Sequence, residues 1–592
     1  MYILGISAFY HDSAAALLSN GDLIAAAQEE RFTRVKYDHR FPTHAIDFCL
    51  RQTGITMGDV AYVVFYEKPL PKFERILLSC LSTFPQSWAL FREAMIAWLG
   101  EKLWLKSLML QKLRIPQERL LFVDHHMSHA ASALFCSPFE EAAVLTVDGV
   151  GEWTTAALGR ATADWNGQPN HIELFEEMRF PHSLGLLYSV FTAWLGFKVN
   201  SGEYKVMGMA PYGQPRYLDK LERIIKLSDD GSFNLNMDFF SFHFSPTQSY
   251  ARKFVDLFGP PRQPEAPFFT RSTGDDLNGR EQEADRNQYY ADVSASVQRL
   301  TEEALLRTAR YLHKRTGLPN LVMGGGVALN SVANGRILRE GPFAQVYIQP
   351  NAGDAGGALG AALYAWHVLL GKPRRFTMEH AYFGEAFSDE HVETVLRAQG
   401  ARYERFEREE LLVDRVVDAL LQGKVVGLFQ GRFEWGPRAL GNRSILGDPR
   451  RQEMKEIVNS KIKFREQFRP FAPVVIEEKA QRYFDLREGA TQYPLRFMLS
   501  VSPILQERQA EIPAVCHMGT GRLQTIRREW NRLYYDVVNA FGEATGVPVL
   551  LNTSFNLRGE PIVTTPENGL RTFSASDIDL LVLNRYLVRK PA

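Results

Sequence analysis

Asp124-His125-His126-Met127-Ser128-His129 places three histidines in five consecutive positions, and the reading of this stretch decides the fold. An apolar, strand-like run, Leu120-Leu121-Phe122-Val123, leads into it. Ala130-Ala131-Ser132-Ala133-Leu134-Phe135, whose small residues suit a buried helix, leads out. On that helix His125 and His129 stand four apart and share one face, so they can grip one metal together. The alternative is a solvated helix start with Asp124 as its cap. The pair does not name the metal: the metalloprotease motif needs Glu directly after the first His, and here that place holds His126. A strand running into a helix sets the imidazoles at a sheet edge, where other segments must supply the missing ligands.

Two hairpins flank this stretch. Residues 2–7 read as an apolar strand, followed by Phe9-Tyr10-His11-Asp12-Ser13 and the strand 14–18, with Asn20-Gly21-Asp22 turning into a return strand, 23–27. His11 and Asp12 then project from the loop into a cleft. The second hairpin, 142–158, repeats the plan, with Asp148 in a Gly-rich turn, Asp148-Gly149-Val150-Gly151. Gly149 and Gly151 mimic part of a dinucleotide fingerprint, but no helix follows the turn. The repeat predicts a duplicated ribonuclease-H-like lobe, as in the actin-like ATPases. Further on, Gly324-Gly325-Gly326 and Asn330 follow the strand 320–323, where backbone amides can approach a phosphate or nucleoside. Asp354 opens a small-residue helix after the strand 346–350, and Lys205 lies in a glycine-punctuated loop, 201–213. His125, His129, Asp148 and Asp354 thus offer two imidazoles and two carboxylates, a set suited to iron(II), manganese or zinc acting as a Lewis acid.

Lys plus Arg and Asp plus Glu are 68 each in 592 residues, so no overall basic field attracts nucleic acid. The four cysteines are scattered without metal-ligand spacing and read as reduced thiols of a cytoplasmic protein. Residues 1–6 lack a basic region and polar residues follow by His11, so no signal peptide is expected there. The most hydrophobic region, about 88–113, is broken by Arg92, Glu93, Glu101, Lys102 and Lys106 and does not span a membrane, so no membrane partner is expected. It reads as helical packing, or as an insertion over a substrate mouth. Residues 228–290 read as irregular loops, and a helix is expected from about 291 to 315.

From about residue 400 arginines alternate with apolar strands. Arg438 and Arg443 follow the strand 425–429, Lys463 and Arg469 lie in Lys461-Ile462-Lys463-Phe464-Arg465-Glu466-Gln467-Phe468-Arg469-Pro470-Phe471, and Arg522 sits in a Gly-rich loop. Asn552-Thr553-Ser554-Phe555-Asn556 closes the strand 547–551. Guanidinium forks among glycines and aromatics can clamp phosphate oxygens, and in a neutral chain an anionic small molecule fits better than nucleic acid.

These motifs together resemble the O-carbamoyltransferases of the nodulation-protein NodU and cephamycin carbamoyltransferase family, which includes the tobramycin enzyme. The matching stretches include His11-Asp12-Ser13-Ala14-Ala15, His125-His126-Met127-Ser128-His129-Ala130, Val147-Asp148-Gly149, Gly202-Glu203-Tyr204-Lys205, Gly324-Gly325-Gly326-Val327-Ala328-Leu329-Asn330 and Gly353-Asp354-Ala355-Gly356. Gly436-Pro437-Arg438-Ala439-Leu440-Gly441, Arg469-Pro470-Phe471-Ala472-Pro473 and Asn552-Thr553-Ser554-Phe555-Asn556 continue the series in family order. The resemblance implies an α/β chain with an actin-like transfer domain over 1–370, a connecting region over 371–399 and a YrdC-like, carbamoyl-adenylate-forming domain over 400–592. It implies that the second domain turns carbamoyl phosphate and ATP (with Mg) into carbamoyl adenylate. The first, with iron(II), passes the carbamoyl group to a hydroxyl of a small-molecule acceptor. It assigns His125, His129, Asp148 and Asp354 to the metal and nucleotide centre, with Gly324, Gly325, Gly326 and Asn330 beside them. His11, with Asp12 and Lys205, acts at transfer, where His11 takes the hydroxyl proton. Arg438, Arg443, Lys463, Arg469, Arg522, Asn552 and Ser554 hold carbamoyl phosphate and the ATP phosphates. A monomer or homodimer is expected. Two other classes fit the modules: a tRNA threonylcarbamoyladenosine-type enzyme and a non-catalytic nucleotide-binding regulator.

Overall fold

The structure is a computed structural model that describes all residues except 101, 274–276, 488–491 and 591–592. Two compact units divide the chain: Met1–Ile24 with Cys49–Thr377 is unit 1, and Ala25–Phe48 with Met378–Ala592 is unit 2. The region 371–399 therefore belongs to unit 1 up to Thr377 and to unit 2 from Met378. Ala25–Phe48 folding with unit 2 is a pairing that no local pattern announces.

Unit 1 carries the expected duplication. The first sheet uses β1 (Tyr2–Ser7), β2 (Ala14–Ser19), β3 (Asp22–Gln28), β4 (Val60–Phe65) and β5 (Leu120–Phe122), in the order β3-β2-β1-β4-β5. After β6 (Glu141–Val147), β7 (Thr154–Thr162) and β8 (His171–Arg179), β9 (Ile225–Leu227) and β10 (Phe233–Leu235) form a small ribbon. With β11 (Asn320–Gly324) and β12 (Gln345–Ile348), the second sheet runs β12-β11-β6-β7-β8. In both sheets the central strand is antiparallel to the next strand of its hairpin and parallel to a later strand across a crossover. This is the duplicated ribonuclease-H-like, actin-like arrangement.

The helix His125–Leu134 and the helix Asp354–Tyr364 pack closely because their contact faces are small residues. An ideal Cβ on Gly360 would lie 1.8 Å from the Ser128 carbonyl oxygen, a backbone atom that cannot swing aside. Gly360→Ala is therefore expected to push the Asp354 helix off the histidine helix. The destabilisation, about 1–3 kcal/mol in the range of overpacked cores, is checked by thermal unfolding.

Three segments of unit 1 differ from expectation. Residues 203–209 form a helix, Glu203–Met209, rather than a loop. The Glu203 carboxylate accepts hydrogen bonds from the amides of Asn200 (2.9 Å) and Gly202 (3.1 Å), stabilising the helix start despite the glycines. The helix expected from 291 begins at Glu281 and runs to Thr316. Its first turns are polar enough to hide the apolar period, yet Ala284 and Asn287 are buried. Residues 88–113 form two helices, Trp88–Gly100 and Leu105–Leu113. Among the described residues no helix is long and apolar enough to cross a membrane.

Unit 2 is built on β13 (Arg402–Arg405), β14 (Val426–Phe429), β15 (Arg443–Gly447), β16 (Ala472–Ile476), β17 (Val501–Pro503), β18 (Thr520–Arg522), β19 (Gln524–Ile526), β20 (Val549–Ser554), β21 (Leu580–Leu583) and β22 (Tyr586–Arg589). Eight of these form one mixed sheet, β13-β22-β21-β14-β15-β20-β16-β19. Side-chain alternation divides the strands between two cores. Leu428, Leu446, Val474 and Leu550 pack with the helices Glu409–Leu421 and Arg532–Thr545. Phe429, Ile445, Val475 and Leu551 pack with Val392, Leu396 and Phe573 on the other face. This is the α/β layering expected of a YrdC-like module. Arg522, expected in a loop, ends β18.

Candidate functional site

The sequence places His125 at the first turn of its helix, where the carboxylate of Glu152 accepts from the His125 amide (3.1 Å) and caps the helix. One turn later His129 brings its Nε2 to 3.1 Å from that of His125. Asp148 leaves the end of β6 and sets Oδ2 2.8 Å from His125 Nε2 and 3.3 Å from His129 Nε2. Asp354 Oδ1 arrives from the small-residue helix at 3.7 and 3.9 Å from the same nitrogens. One ligand atom from each of the four buried residues lies within 4.8 Å of the others. Ligands held about 2.0–2.2 Å from one ion stand roughly 2.8–3.6 Å from their neighbours; the His125, His129 and Asp148 atoms lie in that range, and Asp354 stands just outside it.

The charges fit a cation. Burial works against the Asp148 carboxylate, but hydrogen bonds from His125 and His129 and their charge hold it well below the usual carboxylate range. Burial, with the Asp148 charge, pushes Asp354 up. Burial also opposes a charged His125, yet the hydrogen bond to Asp148 and the nearby carboxylates raise it to about 9. The cluster thus draws protons where a divalent ion would replace them. Asp354 Oδ2 and the Nδ1 atoms of both histidines are buried without hydrogen-bond partners. His125 Nδ1 looks toward Glu67 Oε2 at 3.9 Å, an acid placed to hold the ring. The middle histidine, His126, does not join the cluster. Its Nε2 donates to the Thr154 carbonyl (2.8 Å) and its Nδ1 accepts from Thr146 Oγ1 (2.7 Å). Burial and the charges of His125 and His129 press its pKa down to about 3, so it stays neutral and ties the helix to β6 and β7.

The glycine turn abuts this cluster. The Gly326 amide donates to Asp148 Oδ1 (3.0 Å) and so orients the carboxylate. Gly325, at φ +92°, donates to Ala352 O (2.8 Å), and Gly324 backs onto the His129 carbonyl. Asn330 caps the helix Ser331–Glu340 through the Ala333 amide (3.1 Å) and exchanges hydrogen bonds with Gln298. Gln298 carried no signal in the sequence beyond helix polarity.

His11 sits at the exit of β1, between two partners. Its Nδ1 is 3.0 Å from Asp12 Oδ2 and its Nε2 donates to the Asn200 carbonyl at 2.8 Å. Burial opposes the charge on His11, but the Asp12 hydrogen bond and charge, with Asp354 and the Asn200 carbonyl, push its pKa up to about 10. This setting favours the imidazolium form of His11. Asp12 Oδ1 is buried and has no hydrogen-bond partner. Lys205 is half-buried on its helix, with its ammonium 5.3 Å from the Phe197 ring centroid.

Three residues missed at the sequence level surround these groups. Lys72 Nζ lies 2.6 Å from Glu67 Oε2 in a buried ion pair and 4.2 Å from the Tyr10 ring centroid. Glu152 caps the histidine helix. Glu67 follows an apolar strand directly, the same pattern that singled out Asp148, and could have been found by it.

In unit 2, Lys463 is buried, and its ammonium donates to the carbonyl and Oγ of Ser554 and to the carbonyl (3.0 Å) and Oδ1 (2.7 Å) of Asn556. Burial, then the charges of Arg465, Arg469 and Lys36, hold its pKa well below the usual lysine range. Arg438, Arg469 and Arg522 form a second cationic group: burial and the charges of the other two push Arg522 down, and Arg522 Nε is buried without a partner. Arg469 faces Glu466 at 3.6 Å. Arg438 is set by its loop, which wraps the buried Glu434 carboxylate through the amides of Leu440 (2.8 Å) and Asn442 (2.9 Å).

Two expected phosphate ligands serve the scaffold instead. Arg443 is fully buried, spends its guanidinium on the carbonyls of Gln430, Gly431 and Asn442, and stacks on Phe429. Asn552 binds Ala439 O (3.2 Å) and Gln524 Oε1 (2.8 Å) within the sheet. Asn556, not Asn552, is the amide beside Lys463.

Residues 2–363 match the family described as Carbamoyltransferase N-terminus, and residues 417–590 match Carbamoyltransferase C-terminus. An uncharacterized protein of Synechocystis sp., sll1178, is 47% identical, with 100% of this chain and 97% of that protein aligned. Nodulation protein NolNO of Sinorhizobium fredii is 36% identical over 98% of this chain and 79% of its own length. Among solved structures, component A of the Acidaminococcus fermentans (R)-2-hydroxyglutaryl-CoA dehydratase has 16% identity and a TM-score of 0.31, covering 62% of this chain and 98% of its own. HypF of T. kodakarensis has 15% identity and a TM-score of 0.31, covering 63% of this chain and 48% of its own. With both of its halves matched in order and a relative of such identity along its whole length, the chain belongs to the carbamoyltransferase family and is an enzyme of that kind.

Proposed function

We propose that the chain is an ATP-dependent O-carbamoyltransferase working in two steps. In unit 2, water hydrolyses carbamoyl phosphate to carbamate and phosphate, and a carbamate oxygen then attacks the α-phosphorus of ATP (bound with Mg), displacing pyrophosphate and giving carbamoyl adenylate. In unit 1 the carbamoyl group passes to a hydroxyl of a small-molecule acceptor and AMP leaves. The reading rests on one observation: each unit of this carbamoyltransferase holds its own buried reactive cluster, cationic in unit 2 and dihistidine–dicarboxylate in unit 1. The substrates are phosphate esters and anhydrides, and we place the reaction in the cytoplasm, where ATP is at hand.

Lys463 with Arg438, Arg469 and Arg522 neutralises charge on the departing phosphate and on the ATP phosphates, while Ser554 and Asn556 aim the lysine. His125, His129, Asp148 and Asp354 hold a divalent metal, iron(II) or, on the same donor set, manganese or zinc. When bound, that ion supplies Lewis-acid stabilisation of developing negative charge. The expectation that His11 takes the hydroxyl proton is revised, because its Nε2 is engaged with the Asn200 carbonyl and its Nδ1 with Asp12. The acceptor hydroxyl gives its proton at Asp12 Oδ1, the unpartnered oxygen, and the His11 cation holds that carboxylate in place and offsets its charge.

A first test uses purified protein, ATP, labelled carbamoyl phosphate and iron(II) without acceptor. Phosphate and pyrophosphate release, with an adenylate retained on the protein, is expected; no turnover of carbamoyl phosphate would refute the reading. Salt-sensitive tRNA binding would point to the threonylcarbamoyladenosine-type alternative instead. His11→Asn is expected to leave pyrophosphate release intact and to slow carbamoyl transfer by about 10²–10⁴-fold. Because His11 acts as a cation, wild-type transfer is present below its pKa and is lost as the pH rises through about 10. Transfer that instead climbs through that pH would restore His11 as the base.

A further inference from the structure

We infer that the helices over residues 69–113 form a docking surface for an anionic lipid membrane. The inference goes beyond the proposed reaction and does not depend on it. Of the sixteen large apolar side chains exposed among the described residues, eight fall between Leu70 and Trp104. Leu70 (69%), Phe84 (66%) and Ile96 (70%) are among the most open of them. They are ordered, not scattered. On the helix Pro69–Ser82 the exposed positions are Leu70, Glu74, Leu78, Leu81 and Ser82, of which Leu70, Leu78 and Leu81 are apolar and, with Glu74, recur at helical spacing. Trp88 and Ile96 continue an outward face on the helix Trp88–Gly100, and Trp104 stands exposed just before the helix Leu105–Leu113. A surface helix normally presents this face as polar, so a contiguous apolar face requires a partner.

Charge identifies the partner. Between residues 68 and 114 Lys72 and Arg75 are buried and Lys68 is paired with Asp124, which leaves the surface charge to four cations and two acids among the described residues. Arg92, Lys106, Lys112 and Arg114 are exposed on these helices, against Glu74 and Glu93. Aromatic and leucine side chains together with Lys and Arg on short helices are the composition of segments that lie in a lipid interface, with rings at the headgroup level and basic groups on anionic headgroups. A second copy of the chain would bring the same positive charge against itself, and a neutral apolar protein surface would leave that charge unmatched. None of these helices is long enough to span, so the segment lies on the bilayer rather than crossing it.

This arrangement also revises the expectation of no membrane partner, which rested on the charges that break the apolar run 88–113. Beneath the helices is a cleft lined by Phe9, Lys72, Trp98, Lys102, Leu105 and Leu108, and Phe9 lies two residues from His11. A surface held at the bilayer would place this cleft where amphipathic alcohols partition.

The test is flotation of the full chain with vesicles of phosphatidylglycerol and phosphatidylcholine, against vesicles of phosphatidylcholine alone. Expected is binding to the anionic vesicles that weakens with added salt, and at least a tenfold loss of the bound fraction in Leu78→Glu/Ile96→Glu. Both positions are exposed, so thermal unfolding of that variant should match the parent. Arg92→Glu/Lys106→Glu, which leaves the apolar face intact, is expected to lower binding to anionic vesicles as well. Equal absence of binding to both vesicle types would overturn the inference. So would a concentration-dependent dimer in sedimentation velocity that Leu78→Glu/Ile96→Glu dissolves, since the apolar face would then be covered by a second copy.

Discussion

Lys463→Ala is expected to end carbamoyl-phosphate-dependent pyrophosphate release, with a loss of at least about 10²–10³-fold, the cost of removing one preorganised charge from a developing anion. The ammonium is buried and held by four acceptors on Ser554 and Asn556, so its position is set before substrate arrives. Burial and the neighbouring cations Arg465, Arg469 and Lys36 depress its pKa. An arriving phosphate dianion reverses that repulsion and raises the pKa again. Binding therefore takes up a proton, and phosphate affinity falls as the pH rises between the free and bound values. Calorimetry of inorganic phosphate binding in two buffers of different ionisation enthalpy measures the uptake directly. Lys463→Met, which fills the space without the charge, separates packing from electrostatics: it should lose the activity and the proton uptake while keeping the unfolding temperature. Equal activity in Lys463→Met and the parent would remove the lysine from the reaction.

The second large effect is on the metal. His129→Ala removes one of four converging ligands and is expected to lower metal affinity by more than about 100-fold, since loss of an outer-shell partner alone costs 10–100-fold. The measurement is metal content by elemental analysis after dialysis, a readout that needs no knowledge of the acceptor. His126→Ala is the internal control: the ring lies in the same motif but is bonded to Thr146 and Thr154, so metal content should hold while stability falls. If the two variants lose metal equally, the assignment of ligands within the triplet is wrong. Pyrophosphate release in unit 2 should survive His129→Ala, because its charged groups lie in a different unit.

Much of unit 1 was legible because its signals are local. The hairpins around His11 and Asp148 announce themselves by apolar runs broken at polar or glycine turns, and they proved to be the first two strands of two equivalent five-stranded sheets. The four-apart spacing of His125 and His129 predicted their shared face, and the acids at strand and helix ends predicted Asp148 and Asp354 as their companions. Glu152 escaped because an acid in the turn between β6 and β7 reads as an ordinary turn residue until packing shows that it caps the histidine helix. The start of the long helix at Glu281 escaped because its first turns bury too few apolar groups to show a period.

The sequence by itself determined the elements, their duplicated order and which residue types gather at each strand end, since backbone preference and hydrophobic period act over a few residues. Tertiary structure alone decided what each polar group does. The cationic form of His11 is favoured by Asp12 first, and then by Asp354 and the Asn200 carbonyl, which only the fold brings to the ring. Arg443 binds backbone rather than phosphate because its loop closes around it, whereas Arg522 is left with a buried, unpartnered Nε beside two other arginines. A long charged side chain reaches many partners of similar energy, and the one it takes depends on which carbonyls, carboxylates and cations the fold brings into the same water-poor space.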